Sequence, residues 1–211
     1  MYSGKCFFLI VAAVVLLSID TSFAQSSVQT DSAAKTKHSL VLHLGGGFSN
    51  YIGIVRLRPT GLEGSINRTS VTGTIRLMLY PNHRLRIGLE SGYTNFYSYN
   101  VKDGNTAGRV SLSAIPILIV WSMPIVKRVD VFAGFGTYLL RTQLDYSRQV
   151  SSRALVLGSS IALSYTQPVS KRIGIAAEAK WMNAFETRDA ALSLQVQMVW
   201  KFFQWNPKKQ N

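Results

Sequence analysis

Residues 69–98 alternate in side-chain character over two long arms that are joined by a short turn. One face of the first arm carries Val71, Gly73, Ile75, Leu77 and Leu79, and one face of the second carries Leu85, Ile87, Leu89, Ser91 and Tyr93. A period of two over about a dozen residues per arm indicates β-strands and excludes a helix. Globular strands usually have about 5–6 residues, whereas a tilted strand that spans a membrane needs about 9–11. The arms therefore predict a membrane hairpin.

Charges on the second face of this hairpin predict which side meets lipid. We expect Leu79 to pair with Leu85 across the turn 81–83, which places Arg76 diagonally opposite Glu90. Arg76 would then lie about 12 Å deep, and an arginine facing lipid near that depth would cost about 2–4 kcal/mol. An inward-facing Arg76 instead has a carboxylate partner. The hairpin thus predicts an apolar lipid face and a charged lumen face.

The first residues are typical of a secretory signal peptide. Lys5 is followed by the apolar segment Phe7–Ile19 and by Ser22-Phe23-Ala24, which predicts cleavage between Ala24 and Gln25. The predicted organisation is a signal peptide at 1–24, a flexible periplasmic segment at 25–38, a barrel at 39–203 and a basic periplasmic tail at 204–211.

Eight strands can be assigned from the same alternation. They are Leu40–Asn50, Thr69–Tyr80, Arg84–Tyr97, Gly108–Trp121, Arg128–Thr142, Arg153–Thr166, Arg172–Ala184 and Ala190–Phe203. Their connections alternate between long and short until the last one, as in membrane barrels with long extracellular loops and short periplasmic turns. The predicted fold is all-β: an eight-stranded antiparallel up-and-down transmembrane β-barrel. Around Pro116 the fourth strand is apolar on both faces, so its inward face stays open, and Pro116 predicts a bulge or local distortion.

Aromatic and glycine residues add two local expectations. Tyr93, Tyr97 and Trp181 are expected on the lipid face at one end of the barrel, and Trp200 and Phe202 on it at the other end. Amphipathic rings favour the headgroup level of a membrane. The run 45–47, three consecutive glycines, predicts a bulge or bend in the first strand.

Composition limits the class of partner. The chain has a net charge of +13, with 47% hydrophobic and 16% charged residues. A basic balance can indicate nucleic acid, but predicted export argues against it and favours the phosphates of outer-membrane lipids; a solvated surface is the plainer alternative. We expect no nucleic-acid partner. No segment has 18 uninterrupted apolar residues, which excludes a helical membrane protein.

Three segments carry a resemblance to a known family. They are Ile115-Pro116-Ile117-Leu118, Ala133-Gly134-Phe135-Gly136 and the closing stretch Leu192–Phe203. In these residues the chain resembles the outer-membrane β-barrel domain family of Gram-negative bacteria, which includes PorT-like and OmpA/OmpX-like small barrels. The resemblance covers about Ser39–Phe203 and implies a fold and an outer-membrane location. Its PorT-like side implies an accessory role in protein export.

Inward-facing charges are the main polar constellation in the sequence. By alternation they are Arg76, Arg86, Glu90, Glu178, Lys180 and Lys201. An eight-stranded barrel is just wide enough for side chains to fill it. Such charges therefore predict either a paired internal network that replaces a hydrophobic core, or a gate whose pairs exchange to open a narrow water path.

No catalytic template fits the chain. Metalloprotease, paired-cysteine and phosphate-loop motifs are absent, and the three histidines have no metal-ligand spacing. We expect no catalytic residue, metal or cofactor, and keep a lipid-modifying barrel enzyme as a remote alternative.

The predicted role is structural or interactive, through extracellular loops. The loop 51–68, with Arg56, Arg58 and Arg68, is the candidate contact surface for an extracellular or export-machinery protein. The alternative is a narrow channel or an accessory part of an export machine.

Overall fold

The computed structural model describes residues 38–53, 63–81, 85–103, 106–146 and 148–205. The predicted signal peptide, with Ala24 and Gln25, lies outside this part of the chain, and so do Arg56, Arg58 and residues 206–211. Within the described ranges, no helix is long and apolar enough to cross a membrane.

Nine antiparallel strands form the fold. They are β1 His38–Tyr51, β2 Glu63–Asn67, β3 Thr69–Tyr80, β4 Arg86–Asp103, β5 Thr106–Val126, β6 Val129–Tyr146, β7 Arg148–Pro168, β8 Ile173–Ala184 and β9 Asp189–Trp205. Eight of them close a ring in the order β1-β3-β4-β5-β6-β7-β8-β9, with β9 paired to β1. The short β2 precedes β3, from which Arg68 separates it, and pairs with β4. The predicted eight-stranded antiparallel barrel is confirmed.

Two hairpins are longer than the sequence predicted. Strands β5 and β7 each have 21 residues, and β4 and β6 each have 18. The long connections expected after β4 and β6 were wrong, because the ladder continues through polar pairs such as Asn100↔Arg109 and Gln143↔Ser151. Backbone pairing does not require apolar side chains, so the strands continue beyond the apolar pattern.

The central hairpin also pairs two residues away from the predicted register. Leu79 faces Ile87, and Arg76 faces Glu90 directly rather than diagonally. The register differs because residues 81–85 separate β3 from β4, whereas the predicted turn comprised only residues 81–83. Because the shift is even, every side chain keeps its predicted face.

A β-bulge corrects one aromatic assignment. Asn95 pairs with Ser113 and Tyr97 pairs with Leu112, which leaves Phe96 as the extra residue. The bulge turns Tyr97 into the barrel, where it is buried, so its predicted lipid-face position was wrong. Tyr93 and Trp181 do lie on the outer face.

The fourth predicted strand, now β5, has a defined inner face. Pro116 and Leu118 point inward and are buried, whereas Ile115 and Ile117 point outward. Pairing to β4 is interrupted between Ile117 and Ala114 without a change of register. Pro116 has no N–H to donate, which accounts for the local distortion that the sequence predicted there.

The three consecutive glycines do not form a bulge. Gly45 to Gly47 pair regularly with both neighbouring strands, and the irregularity in β1 lies at Leu40/Val41. A Cβ on Gly45 would lie 2.4 Å from Gln197 Cγ. The missing side chain therefore makes room for a glutamine inside the barrel.

Candidate functional site: the lumen charge network

Four of the predicted inward charges meet in one cluster, here called the lumen network: Arg76, Glu90, Glu178 and Lys180. Arg76 donates from Nε to Glu90 Oε2 at 2.6 Å, and from Nη1 and Nη2 to the two carboxylate oxygens of Glu178 at 2.8 and 3.0 Å. Lys180 Nζ donates to Glu90 Oε1 at 2.9 Å and to Thr74 Oγ1 at 3.0 Å, and lies 3.3 Å from Glu178 Oε1. Each carboxylate is therefore shared by both cations.

The network connects opposite walls of the barrel. Arg76 and Glu90 are cross-strand partners on β3 and β4, whereas Glu178 and Lys180 both project from β8, three strands away from β3 around the ring. The four side chains are only 0–2% exposed. Two positive and two negative charges cancel, so the cluster is buried without a net charge, which is the condition under which buried ions are tolerated.

An aromatic ring supports the arginine. The guanidinium carbon of Arg76 lies 4.1 Å from the ring centroid of Phe132, on the opposite wall in β6. A guanidinium over an aromatic face is favourable when it is removed from water. The same ring meets the edge of His43 at 5.7 Å between centroids. Arg76 is thus held by two carboxylates and a ring, which fixes its position across the lumen.

Arg86 does not join the lumen network. It pairs with Asp130 at 2.8 Å and lies 4.1 Å above the Tyr80 ring, nearer the end of the barrel that carries the turn 127–128. Arg86 is four residues from Glu90 along β4, a distance of about 13 Å in an extended strand. The single predicted network is therefore two groups. Lys201, also predicted to point inward, is exposed.

Several lumen residues were missed by the sequence reading. Buried His43 contacts Tyr80, with 3.3 Å between Nε2 and the hydroxyl oxygen. At the opposite end, the hydroxyl of Tyr51 donates to Asp189 Oδ1 at 2.6 Å. Alternation within β1 could have placed His43 inward. The contact between Tyr51 and Asp189 spans 138 residues and leaves no sequence signal.

The arrangement of the lumen network suits a structural role, in which paired charges hold two walls of the barrel together. Every charge in the lumen network is paired within hydrogen-bonding distance, and the network bridges two walls. Among the described residues, no group of three or more His, Cys, Asp or Glu side chains could hold a metal ion. The expected absence of catalytic residues and cofactors stays a prediction, and so does a gate.

The predicted contact surface is only partly described. Arg68 is exposed at the break between β2 and β3, and its carbonyl accepts the backbone N–H of Tyr51 at 2.9 Å. Because Arg56 and Arg58 lie outside the described residues, the three-arginine surface stays a prediction.

No protein-family model and no curated protein sequence matches the chain. Among solved structures, Neisserial surface protein A is 12% identical with a TM-score of 0.46, over 78% of this chain and 99% of that one. The attachment invasion locus protein Ail of Yersinia pestis, in complex with the heparin analogue sucrose octasulfate, is 6% identical with a TM-score of 0.45, over 81% and 99%. The outer membrane protein OprG of Pseudomonas aeruginosa is 9% identical with a TM-score of 0.42, over 80% and 97%. At these identities and TM-scores, the similarities assign no activity to this chain.

Proposed function

We propose that this protein is an integral outer-membrane β-barrel with a side-chain-filled lumen, and that its role is structural or interactive. The observation that carries the proposal is an inverted distribution of polarity. Large hydrophobic side chains with exposed fractions of 36–67% cover the outside of the ring, while the lumen network is buried. Soluble proteins rarely expose a continuous apolar surface of this kind. Such a surface is expected if the barrel lies in the hydrocarbon core of a membrane. A closed barrel also leaves no backbone edge unpaired there.

Aromatic side chains support the same placement. Trp200 and Phe202 lie on the outer face with ring centroids 5.8 Å apart, close to the exposed turn 169–172. Tyr93 and Trp181 lie outside towards the other end. Two aromatic levels around an apolar band are the arrangement expected at the two headgroup regions of a membrane.

A filled lumen favours a scaffold over a channel. Three polar groups block the interior at successive levels: Arg86 with Asp130, then the lumen network, then Tyr51 with Asp189. Buried apolar side chains, among them Tyr138 and Leu118, also fill the interior. Contacts with other molecules are then made by the hairpins that extend beyond the apolar band, where the outward residues Arg109 and Gln143 are exposed and polar.

Gel mobility and tryptophan emission test the membrane assignment. Unboiled protein should migrate faster than boiled protein in detergent, because a closed barrel resists unfolding. Trp121, Trp181, Trp200 and Trp205 all lie on the outside, so quenchers attached to lipid chains should quench the emission of reconstituted protein. A soluble β-protein would show neither effect, and both failures together would refute the proposal.

Single-channel recording separates the scaffold from the channel alternative. The wild-type barrel should give closed traces. Glu90→Gln should also stay closed, because Arg76 keeps its two hydrogen bonds to Glu178. A conductance that appears in the variant would support the gate instead. Lipid mass spectrometry with and without expression tests the remaining enzyme alternative.

A further inference from the structure

The residues just beyond the apolar band differ in charge around the ring. One position on each of the eight barrel strands, on the face that alternation along the strand directs outward, follows the band on the side of the β4–β5 and β6–β7 turns, and we call these the rim positions. They are Asn50, Thr69, Asn95, Ser113, Arg141, Arg153, Asn183 and Ala190. The side chain of Ser113 is itself buried against the Arg141 carbonyl. Six are uncharged, and the two charged ones are arginines on neighbouring strands. Among the rim positions, charge is therefore confined to one hairpin.

The two arginines are direct cross-strand partners. Arg141 of β6 pairs with Arg153 of β7, and both side chains are exposed. Directly opposite side chains on one face of an antiparallel pair have Cβ atoms about 4.5–5.5 Å apart, where like charges are unfavourable. Neither guanidinium forms an ion pair with an acidic side chain in the described part of the chain. The fold thus holds two cations side by side without a protein anion between them.

The residues that lie between Arg141 and Arg153 and the apolar band indicate which kind of molecule supplies an anion to the two arginines. The next pair towards the band is Leu139 with Leu155, and Ile115 follows on β5 at the same level; all three are exposed. On the proposed function, acyl chains cover these side chains, which puts both guanidinium groups at headgroup level. A planar guanidinium matches phosphate with two parallel hydrogen bonds, and two of them can share one phosphate group.

We propose that Arg141 and Arg153 form a binding site for the phosphate of a membrane-lipid headgroup, in the leaflet that surrounds the β6–β7 hairpin. The site rests on the proposed membrane location. It adds a defined lipid contact at one place on the circumference, and it gives two neighbouring like charges a shared anion at the boundary of an apolar surface.

Native mass spectrometry of the folded full-length protein in a neutral detergent tests the site. The probes are dioctanoyl phosphatidic acid and dioctanoylglycerol, which share acyl chains and differ in the phosphate. Wild type should retain phosphatidic acid in preference to dioctanoylglycerol. Arg141→Gln/Arg153→Gln should weaken retention of phosphatidic acid by roughly tenfold or more, because both guanidinium groups are lost.

The control removes the same charge elsewhere. Lys171→Gln/Arg172→Gln changes two exposed basic residues in the turn at the other end of the barrel, and should leave retention within about twofold of wild type. Equal losses in the two double variants, or no preference of wild type for phosphatidic acid, would overturn the site. Heat-dependent gel mobility is recorded on every sample. A folded, lipid-inserted barrel without the preference refutes only this site, whereas loss of the mobility shift in wild type refutes the proposed function itself.

Discussion

Replacing Glu178 with glutamine should destabilise the barrel more than neutralising Asp130, the carboxylate of the other charged pair in the lumen. Glu178 is fully buried and accepts hydrogen bonds from both Nη atoms of Arg76. Glutamine keeps the size but removes the charge, so Arg76 and Lys180 would share Glu90 alone and the cluster would carry a buried charge of +1. Breaking one partner out of a buried ion pair costs about 3–5 kcal/mol, and we expect Glu178→Gln to reduce the free energy of unfolding by that amount.

Two matched variants isolate the role of burial and charge balance. Asp130→Asn breaks the pair with Arg86, whose side chains are 19% and 15% exposed, and should cost no more than about 1 kcal/mol. Glu178→Gln/Lys180→Gln removes one charge of each sign and returns the cluster to neutrality. Its loss should be smaller than the sum of the two single losses by about 1–3 kcal/mol, since the groups share partners.

Equilibrium unfolding in urea, from vesicles of neutral lipid, measures these differences. The four outward tryptophans report the departure of the barrel from lipid, and unboiled gel mobility reports the folded fraction at each urea concentration. A lower midpoint at an unchanged slope marks a loss of stability alone. Equal midpoints for Glu178→Gln and Asp130→Asn would show that buried charge pairing does not stabilise the lumen. The structural role assigned to the lumen network would then be wrong.

Two further predictions use the same assay. Gly47→Ala should reduce the free energy of unfolding by about 1–3 kcal/mol, because its Cβ would lie 2.0 Å from a backbone oxygen of β9. Gly46→Ala, whose Cβ would have its nearest contact at 3.7 Å, should change that free energy by no more than about 0.5 kcal/mol. A larger loss for Gly46→Ala than for Gly47→Ala would contradict the packing of β1 against β9. Tyr51→Phe should cost about 1.5–3 kcal/mol because it removes a donor from the buried carboxylate of Asp189. Tyr138→Phe, whose hydroxyl donates to a neutral backbone carbonyl, should cost about 1 kcal/mol, and equal losses would argue against a charged acceptor at Asp189.

Alternation alone was sufficient to predict the fold class and the faces of the central hairpin. Each strand repeats every two residues, so assigning one residue assigns the whole strand, and the inward placement of Arg76 and Glu90 followed from the cost of arginine in lipid. The same reasoning placed Glu178 and Lys180 inside. It could not show that these four side chains form one cluster without Arg86. Alternation predicts which face of a strand a residue occupies, but not its height along the barrel axis.

Local irregularities account for the errors. The bulge at Phe96 reverses the alternation along β4, so Tyr97 was assigned to the wrong face. In β5 both faces are apolar, so periodicity cannot distinguish the inward face from the outward face. There the neighbouring strands decide, since Leu118 pairs with the inward Glu90 on one side and with Gly136 on the other.

The lumen network also explains how a barrel with an apolar outside keeps its strands in register. A slip of one residue would exchange the two faces of a strand. In β3 or β8 it would turn Arg76 or Lys180 into lipid, at about 2–4 kcal/mol for each cation near the bilayer midplane. It would also leave Glu90 with only one of its two cations inside the lumen. A wholly apolar lumen would impose no such cost, as β5 illustrates. Paired buried charges add little net stability compared with well-packed hydrophobic residues, so their main contribution here is to select one register among alternatives.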